Sequence, residues 1–125
     1  MRKFWFLVAA LAIASVIAPV SASASIRHYS QSYSKSQIRK AAKEAHASTR
    51  DLHDLFYICK HESNFHNWSH SRSECHGLFQ LSKGMAHGHK WWEPLWNSRR
   101  AIKYMRGRYG SIHAAYLFKR RHGWY

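Results

Sequence analysis

Acidic side chains are scarce in this 125-residue chain. Six Asp and Glu face 20 Lys and Arg, which gives a formal net charge of +14 at pH 7 with neutral His. Only two cysteines are present, so no paired C-x-x-C metal motif can form. Long hydrophobic runs are also missing. The longest, residues 4–18, is shorter than the roughly 20 residues that a membrane-spanning helix needs.

The first 24 residues have the organisation of a secretory signal peptide. Arg2 and Lys3 precede the apolar run, and Ala22 to Ala24 offer a small-x-small cleavage pattern. An uncleaved membrane anchor is the alternative, which the short apolar run disfavours. We therefore expect an exported protein that begins at Ser25 and is located outside the cytoplasm, secreted or at the cell wall, without stable membrane insertion.

Removing this leader leaves 18 basic against six acidic residues, a formal charge of +12. Such a charge favours binding to polyanions. For an exported protein, anionic wall polymers are nearer candidates than nucleic acid, which we do not expect as a partner. The alternative is that the charge only aids solubility.

Composition and periodicity predict one mainly α domain after a lead-in. Residues 25–36 are rich in Ser and Tyr and predict a flexible segment. The domain, residues 37–125, begins with a helix over 37–47 that Ser36 caps. Further helices are expected from Ser48 to about Ser63, from Asn97 to Gly110 and over 112–122, with a short helical turn after Ser82. Residues 64–81 lack helical periodicity and predict a loop or small β-hairpin.

One acidic residue, Glu62, lies at the end of an apolar helical stripe. Leu52, Leu55, Phe56 and Cys59 follow the spacing of one buried helix face, and Glu62 points much the same way. Desolvation and the C-terminal end of the helix dipole both disfavour a carboxylate anion there. We therefore expect Glu62 to carry a proton near neutral pH, as a general acid must.

Three further motifs accompany Glu62. The chain reads E-S-N-F from residue 62, G-L-F-Q-L from 77, R-Y-G-S from 108 and G-W-Y from 123. Together they resemble the lysozyme-like lytic transglycosylases with a soluble-lytic-transglycosylase type domain. The last two motifs are similar to a small secreted subgroup that includes aggregation-promoting-factor-like proteins. The resemblance covers about residues 50–125 and implies a lysozyme-like α+β fold with a small β element.

The resemblance implies a monomeric enzyme that acts on peptidoglycan glycan strands without a cofactor. In this family one Glu, here Glu62, protonates the glycosidic oxygen between N-acetylmuramic acid and N-acetylglucosamine. It then takes the proton of the C6 hydroxyl, which attacks C1 and leaves a 1,6-anhydro end. A two-carboxylate hydrolase needs a second acid roughly 5–10 Å away. Glu74 is the one candidate expected to face the cleft, so the scarcity of acids favours the single-Glu mechanism over a muramidase.

Four more residues are candidates for substrate binding by the same resemblance. Gln80 corresponds to a cleft glutamine, and Gly77 permits close backbone approach. Ser63 is expected to position the Glu62 carboxyl group or an N-acetyl group. Tyr116 follows two alanines, as in the A-Y-N motif of larger members, although Leu117 replaces the Asn. Each also has an explanation without substrate. Gln80 would be a polar residue on an exposed turn, and Gly77 would serve a plain turn. Ser63 would be an ordinary helix end, and Tyr116 would pack between helices.

The two cysteines, Cys59 and Cys75, form the only possible intrachain disulfide. A bridge is the default for a pair in an exported protein, and it would contribute on the order of 3 kcal/mol. Two free thiols, with Cys59 filling the core, are the alternative. His61, His87 and His89 lack the spacing of a metal motif, so we expect no metal. The Trp cluster at 91–96 either stacks on sugars or packs in the core. A third possible function is a non-catalytic cationic protein for wall binding or cell aggregation.

Overall fold

The computed structural model describes residues 26–125, and in this part of the chain five helices account for most of the backbone. They are α1 (Gln31–Glu44), α2 (Thr49–Ser63), α3 (Lys83–Ala86), α4 (Pro94–Tyr109) and α5 (Ile112–His122). The expectation of a mainly α single domain is confirmed. The predicted signal peptide, residues 1–24, and its cleavage site lie outside the described residues.

The start of α1 corrects the predicted flexible lead-in. The helix begins at Gln31 rather than residue 37, because the Ser30 hydroxyl caps it by accepting from the Tyr33 amide at 3.1 Å. Its buried face includes Ser34, which is fully buried and which an apolar pattern cannot reveal. Upstream, the Tyr29 amide donates to Asn67 Oδ1 at 2.9 Å, so residues before the helix are also tied to the domain.

The other long helices form largely where their capping residues predicted them. Ser48 and Asp51 make a complete capping box at the start of α2. Ser111 caps α5, and Gly110 and Gly123 end α4 and α5 in the left-handed conformation. The exception is α4, which begins at Pro94, three residues before the predicted Asn97. Proline is favoured in the first helical turn, where its missing amide costs no hydrogen bond.

The segment between α2 and α3 is a folded loop with isolated bridges and no full strand among the described residues. His76 forms isolated bridges with His70 and with Leu81, so of the two predicted alternatives the described residues form a loop rather than a β-hairpin. Leu78, Phe79 and Leu81 are at most 1% exposed. The loop is therefore anchored by its own contribution to the core.

The core lies between two layers of helices. Helix α1 packs against α2 and α4, and α5 packs against α2 and α4. The loop closes the end of this arrangement beside the C-terminus of α2. No helix among residues 26–125 combines the length and the apolarity that crossing a bilayer requires. The largest fully buried apolar side chains are Ile38, Leu55, Ile58, Leu78, Phe79, Leu81, Met105 and Ile112.

Candidate functional site

Glu62 lies in the last turn of α2, where α5 and the loop meet it. Its side chain is 18% exposed, so it is partly buried, as the sequence predicted. Its environment differs from the prediction in one respect. The Lys119 ammonium group, from α5, donates directly to Glu62 Oε1. The carboxyl group is therefore paired with a positive charge inside the protein, which the apolar stripe of α2 did not predict.

Lys119 is buried, with 7% of its side chain exposed, in the last turn of α5. Its ammonium group also donates to the Gly123 carbonyl oxygen at 3.3 Å and lies 5.9 Å from the centre of the Tyr125 ring. A buried ammonium group is stable only when it is paired. Glu62 is thus the counter-ion that makes this burial possible.

Tyr125 lies next to Lys119, which pairs with Glu62. Its hydroxyl donates to the Phe79 carbonyl oxygen at 2.5 Å, which connects it to the G-L-F-Q-L segment. Burial raises the phenol pKa well above its ordinary value, and the nearby negative charge of Glu62 raises it further. Tyr125 therefore stays protonated and acts as a hydrogen-bond donor at neutral pH.

Ser63 joins α2 to the loop and is 8% exposed. Its hydroxyl donates to the Leu78 carbonyl oxygen at 2.7 Å and lies 3.3 Å from the Cys59 carbonyl oxygen. The structure thus gives Ser63 a local role. It fixes the backbone next to Glu62 against the loop, and its hydroxyl hydrogen is already used.

Gly77 is needed for an intramolecular contact. Its φ is +79°, and a Cβ there would collide with the Asn97 amide and lie 2.7 Å from the Trp91 carbonyl oxygen. Asn97 is fully buried in α4. Its amide donates to the His76 and Trp91 carbonyl oxygens at 3.1 and 2.9 Å, and its Oδ1 accepts from the Phe79 amide at 3.0 Å. Gly77 therefore lets Asn97 hold the loop in place.

The Gln80 side chain folds back onto the loop. Its Nε2 donates to the Ser69 and Gly77 carbonyl oxygens at 3.1 and 2.9 Å, which supports its left-handed backbone at φ +50°. Gln80 also lines a cavity of about 180 Å³ that includes Tyr125. The structure thus brings Gln80 next to Tyr125, and Glu62 does not line this cavity. The remaining residues lining this cavity are Cys75, Leu81, Ser82, Met85 and Tyr104.

Tyr116 lies on α5, one turn before Lys119. Its ring packs edge-on against Tyr57 of α2 at 5.1 Å, and its hydroxyl accepts from Arg120 at 2.9 Å. The hydrogen bonds of residues 26–125 include none between Tyr116 and Glu62. Tyr116 therefore contributes here to packing between α2 and α5, without a hydrogen bond to Glu62 among the described residues.

The predicted disulfide is wrong, because Cys59 and Cys75 are both free thiols. Cys59 is fully buried on the core face of α2, where its Sγ lies 3.7 Å from the Ser63 hydroxyl. Cys75 is partly exposed on the loop and has its contacts with Ser73. Burial raises the pKa of the Cys59 thiol to about 12. Its side chain fills the core, which is the alternative that the sequence left open.

The five other acidic residues each have a local partner. Asp54 is 2% exposed and accepts from His113 at 2.7 Å, assuming that this ring nitrogen carries the hydrogen. Glu74, the expected second cleft acid, is exposed and lies 3.4 Å from Lys83. The remaining pairs are Glu44 with Arg99, Asp51 with the Ser48 amide and Glu93 with the Tyr29 hydroxyl.

The Trp and His residues after α3 line a separate cavity of about 530 Å³, which Glu74 also lines. Trp91 lies 4.8 Å from the His76 ring and 5.6 Å from Trp92, ring centre to ring centre. Burial and the neighbouring His70 lower the pKa of His76. Residues 26–125 contain no group of three His, Cys, Asp or Glu side chains that is able to hold a metal ion.

Three residues that shape this region were missed by sequence reasoning. In the sequence Lys119 is one of many cations, Asn97 is the expected start of a helix, and Tyr125 is the last residue of a motif. An approximate signal existed for Lys119 alone. It follows Ala115 by four residues on the buried face of α5, where a lysine requires an acidic partner.

Comparisons of the chain with protein-family models, with curated proteins and with solved structures find no match. The resemblance to lytic transglycosylases therefore rests on the four sequence motifs alone.

Proposed function

We propose that the protein is a secreted peptidoglycan lytic transglycosylase with Glu62 as its acid and base. The observation that carries the proposal is the position of Glu62. It is the one carboxyl group of six at the junction of α2, α5 and the 77–81 segment, and it is partly buried there. Lys119 donates to Oε1, and residues 26–125 place no hydrogen-bond donor on Oε2.

The proposed reaction uses this single carboxyl group twice. In the first step Glu62 gives its proton to the glycosidic oxygen as the bond from that oxygen to C1 breaks. In the second step the carboxylate removes the proton of the C6 hydroxyl, and the C6 oxygen bonds to C1. The product is a 1,6-anhydro end and no water is consumed. Lys119 would support the second step by stabilising the carboxylate before it accepts the proton.

The hydrolytic alternative, a muramidase, needs a second carboxylate near the first. Glu74 is the acid that the sequence offered for this role. It is exposed and pairs with Lys83, whereas Glu62 is partly buried and pairs with Lys119. The geometry therefore favours the single-Glu reaction over the hydrolase.

A non-catalytic wall-binding protein is the second candidate, and the Glu62–Lys119 pair is the observation that favours it. The acid step requires a carboxyl group that is free to meet the glycosidic oxygen, and Glu62 already accepts a hydrogen bond from the Lys119 ammonium group. A Glu62 that serves only as the counter-ion of Lys119 would explain the same contact. The two candidates thus differ in whether glycan bonds are broken.

Mass spectrometry of purified peptidoglycan after incubation with the protein separates the three functions. Anhydro ends support the transglycosylase, new reducing ends support the muramidase, and unchanged glycan supports the binding protein. Glu74→Gln is the matched control for Glu62→Gln, because both variants lose one carboxylate. Cleavage should survive in Glu74→Gln, and its loss there would favour a two-carboxylate hydrolase.

A further inference from the structure

A basic groove runs between α1 and α2, away from Glu62. It has a volume of about 370 Å³. Helix α1 contributes Lys35 and Arg39, and α2 contributes Lys60. We call this feature the α1–α2 groove. It is lined by Lys35, Arg39, His53, Phe56, Tyr57, Lys60 and Phe65.

The lining of the α1–α2 groove contains three permanent positive charges and no carboxylate. The ion pairs of residues 26–125 involve other cations, such as Arg99 and Lys119, and leave these three out. Cations that share a groove repel one another, so an anion placed among them lowers the electrostatic energy. The charge pattern therefore fits a partner that carries several negative charges.

The aromatic side chains of the groove hold its cations in place. The Lys35 ammonium group lies 4.7 Å from the centre of the Phe65 ring, and the Arg39 guanidinium group lies 5.0 Å from that of Phe56. Such contacts orient the charged groups before a ligand arrives. They also cover ring faces on which the bases of a nucleic acid would stack. The groove thus presents fixed charge rather than free aromatic surface.

The α1–α2 groove and Glu62 use different faces of α2. His53, Phe56 and Lys60 follow helical spacing along one face, and Glu62 comes two residues after Lys60, about 200° further round the helix. Glu62 contacts α5, whereas the groove faces α1. A ligand in the groove is therefore separable from chemistry at Glu62.

We propose that the α1–α2 groove binds the phosphates of a linear polyol-phosphate polymer, the class to which anionic bacterial wall polymers belong. Its sugar-alcohol units need no aromatic platform, and its phosphates supply the negative charge that the lining of the groove lacks. This binding goes beyond the proposed cleavage reaction. It is independent of Glu62 and holds whether or not the protein cuts glycan.

The test compares two triple variants with the same loss of charge. Lys35→Gln, Arg39→Gln and Lys60→Gln together neutralise the groove. Exposed cations elsewhere provide the control, which is the combination Lys43→Gln, Lys103→Gln and Arg106→Gln. Binding of a synthetic polyglycerol phosphate of defined length is measured by calorimetry at low salt. The groove variant should lose affinity by about 10- to 100-fold and the control by less than about threefold.

Equal losses in the two triple variants would overturn the proposal, because they would mean that only total charge matters. A single-stranded oligonucleotide with the same number of phosphates should bind no more tightly than the polymer. Tighter binding that disappears in the groove variant would assign the groove to nucleic acid instead. Lys60→Gln alone guards against misfolding, because this exposed side chain lacks the stacking contact of Lys35. It should lower the affinity by about threefold.

Discussion

The lysines on the two sides of α2 have opposite environments. On the face toward α5, Lys119 is 7% exposed and is held by the single carboxylate of Glu62. On the face toward α1, Lys35 and Lys60 line an open groove whose lining contains no acid. One face therefore carries a closed pair of opposite charges, and the other carries uncompensated positive charge.

Burial explains the difference between the faces. A buried ammonium group loses its hydration and must find a counter-ion, whereas an exposed one keeps its water and needs none. Glu62 thus lies where the desolvation of Lys119 makes an acid necessary, whereas Glu74 pairs with an exposed lysine at the surface. The excess of positive charge remains at the surface, where it is free to attract an anionic partner.

The sharpest way to separate the faces is to remove the carboxylate from one of them. Glu62→Gln should lower the rate of glycan cleavage by roughly 10²–10⁴-fold, because the amide keeps the size of the side chain and cannot transfer the proton. Binding of polyglycerol phosphate in the α1–α2 groove should be unchanged. The measurements are release of anhydro-muropeptides and calorimetry on the same preparation.

The variant leaves the Lys119 ammonium group without a counter-ion, so its activity has to be compared with a stable control. The double variant Glu62→Gln with Lys119→Met removes both charges and serves that purpose. Wild-type turnover in either protein would show that Glu62 is not the acid.

The contact between the loop and Asn97 can be tested at Gly77, with a glycine outside the loop as the control. Gly77→Ala should lower the free energy of unfolding by about 3–5 kcal/mol, because it combines a left-handed backbone with a collision against Asn97. Gly88→Ala is the matched control, since its φ of +78° is similar and open space surrounds it. Its cost should be about 1–2 kcal/mol. Thermal and urea unfolding give both values, and similar costs would contradict the proposed contact with Asn97.

The strength of the pair on the α5 face is measurable by a double-mutant cycle. Glu62→Gln and Lys119→Met alone should each lower the free energy of unfolding by about 1–3 kcal/mol, because each leaves a partly buried group without its partner. The double variant should recover most of this loss. Strictly additive losses in urea unfolding would mean that the contact contributes nothing to stability.

Binding in the α1–α2 groove should depend on the salt concentration, whereas cleavage at Glu62 should not. Binding to intact walls should weaken about tenfold between low and high ionic strength, because exposed charges are screened over a Debye length of ~8 Å at physiological salt. Cleavage of short uncharged glycan fragments should change far less, since Glu62 acts through direct contacts. Pull-down of walls and turnover of fragments are measured across the same salt series. If wall binding does not change with salt, the α1–α2 groove is not the surface that binds the wall.

The smallest expected effect concerns the thiols, which lie outside the comparison of charges. A reducing agent should leave the melting temperature unchanged, because no disulfide is present to break. In the native protein Cys75 should react with an alkylating reagent, whereas Cys59 should react only after unfolding. A pKa of about 12 leaves roughly one Cys59 thiol in 10⁵ ionised at pH 7. Mass spectrometry counts the labelled thiols. A fall in melting temperature on reduction would instead show that Cys59 and Cys75 form a disulfide.

Local signals predicted most of the helices. The capping box at Ser48 and Asp51 and the terminal Gly110 and Gly123 act through neighbouring backbone groups, so their effect is visible in a short window of sequence. The start of α1 was missed because Ser34 is a polar residue in a buried position. Its burial is decided by tertiary packing, which no local pattern contains.

Sequence reasoning predicted the partly buried position of Glu62 but not the side chains that surround the candidate site. The apolar stripe of α2 correctly placed Glu62 in a partly buried position. Its contact with Lys119 joins residues 57 positions apart, and Asn97 reaches loop atoms up to 21 positions away. Contacts at such separations arise from the packing of whole helices. They can be inferred from a single sequence only as the general requirement that a buried lysine has an acidic partner.

The buried pair of Glu62 and Lys119 has a consequence for related sequences. A change at either position alone leaves an uncompensated charge in the interior, whereas a change at both is tolerated. The two positions should therefore vary together among homologues. A relative that has lost the acid should carry an apolar residue in place of the lysine. Such paired replacement would show that the fold does not need the acid once the lysine is also replaced.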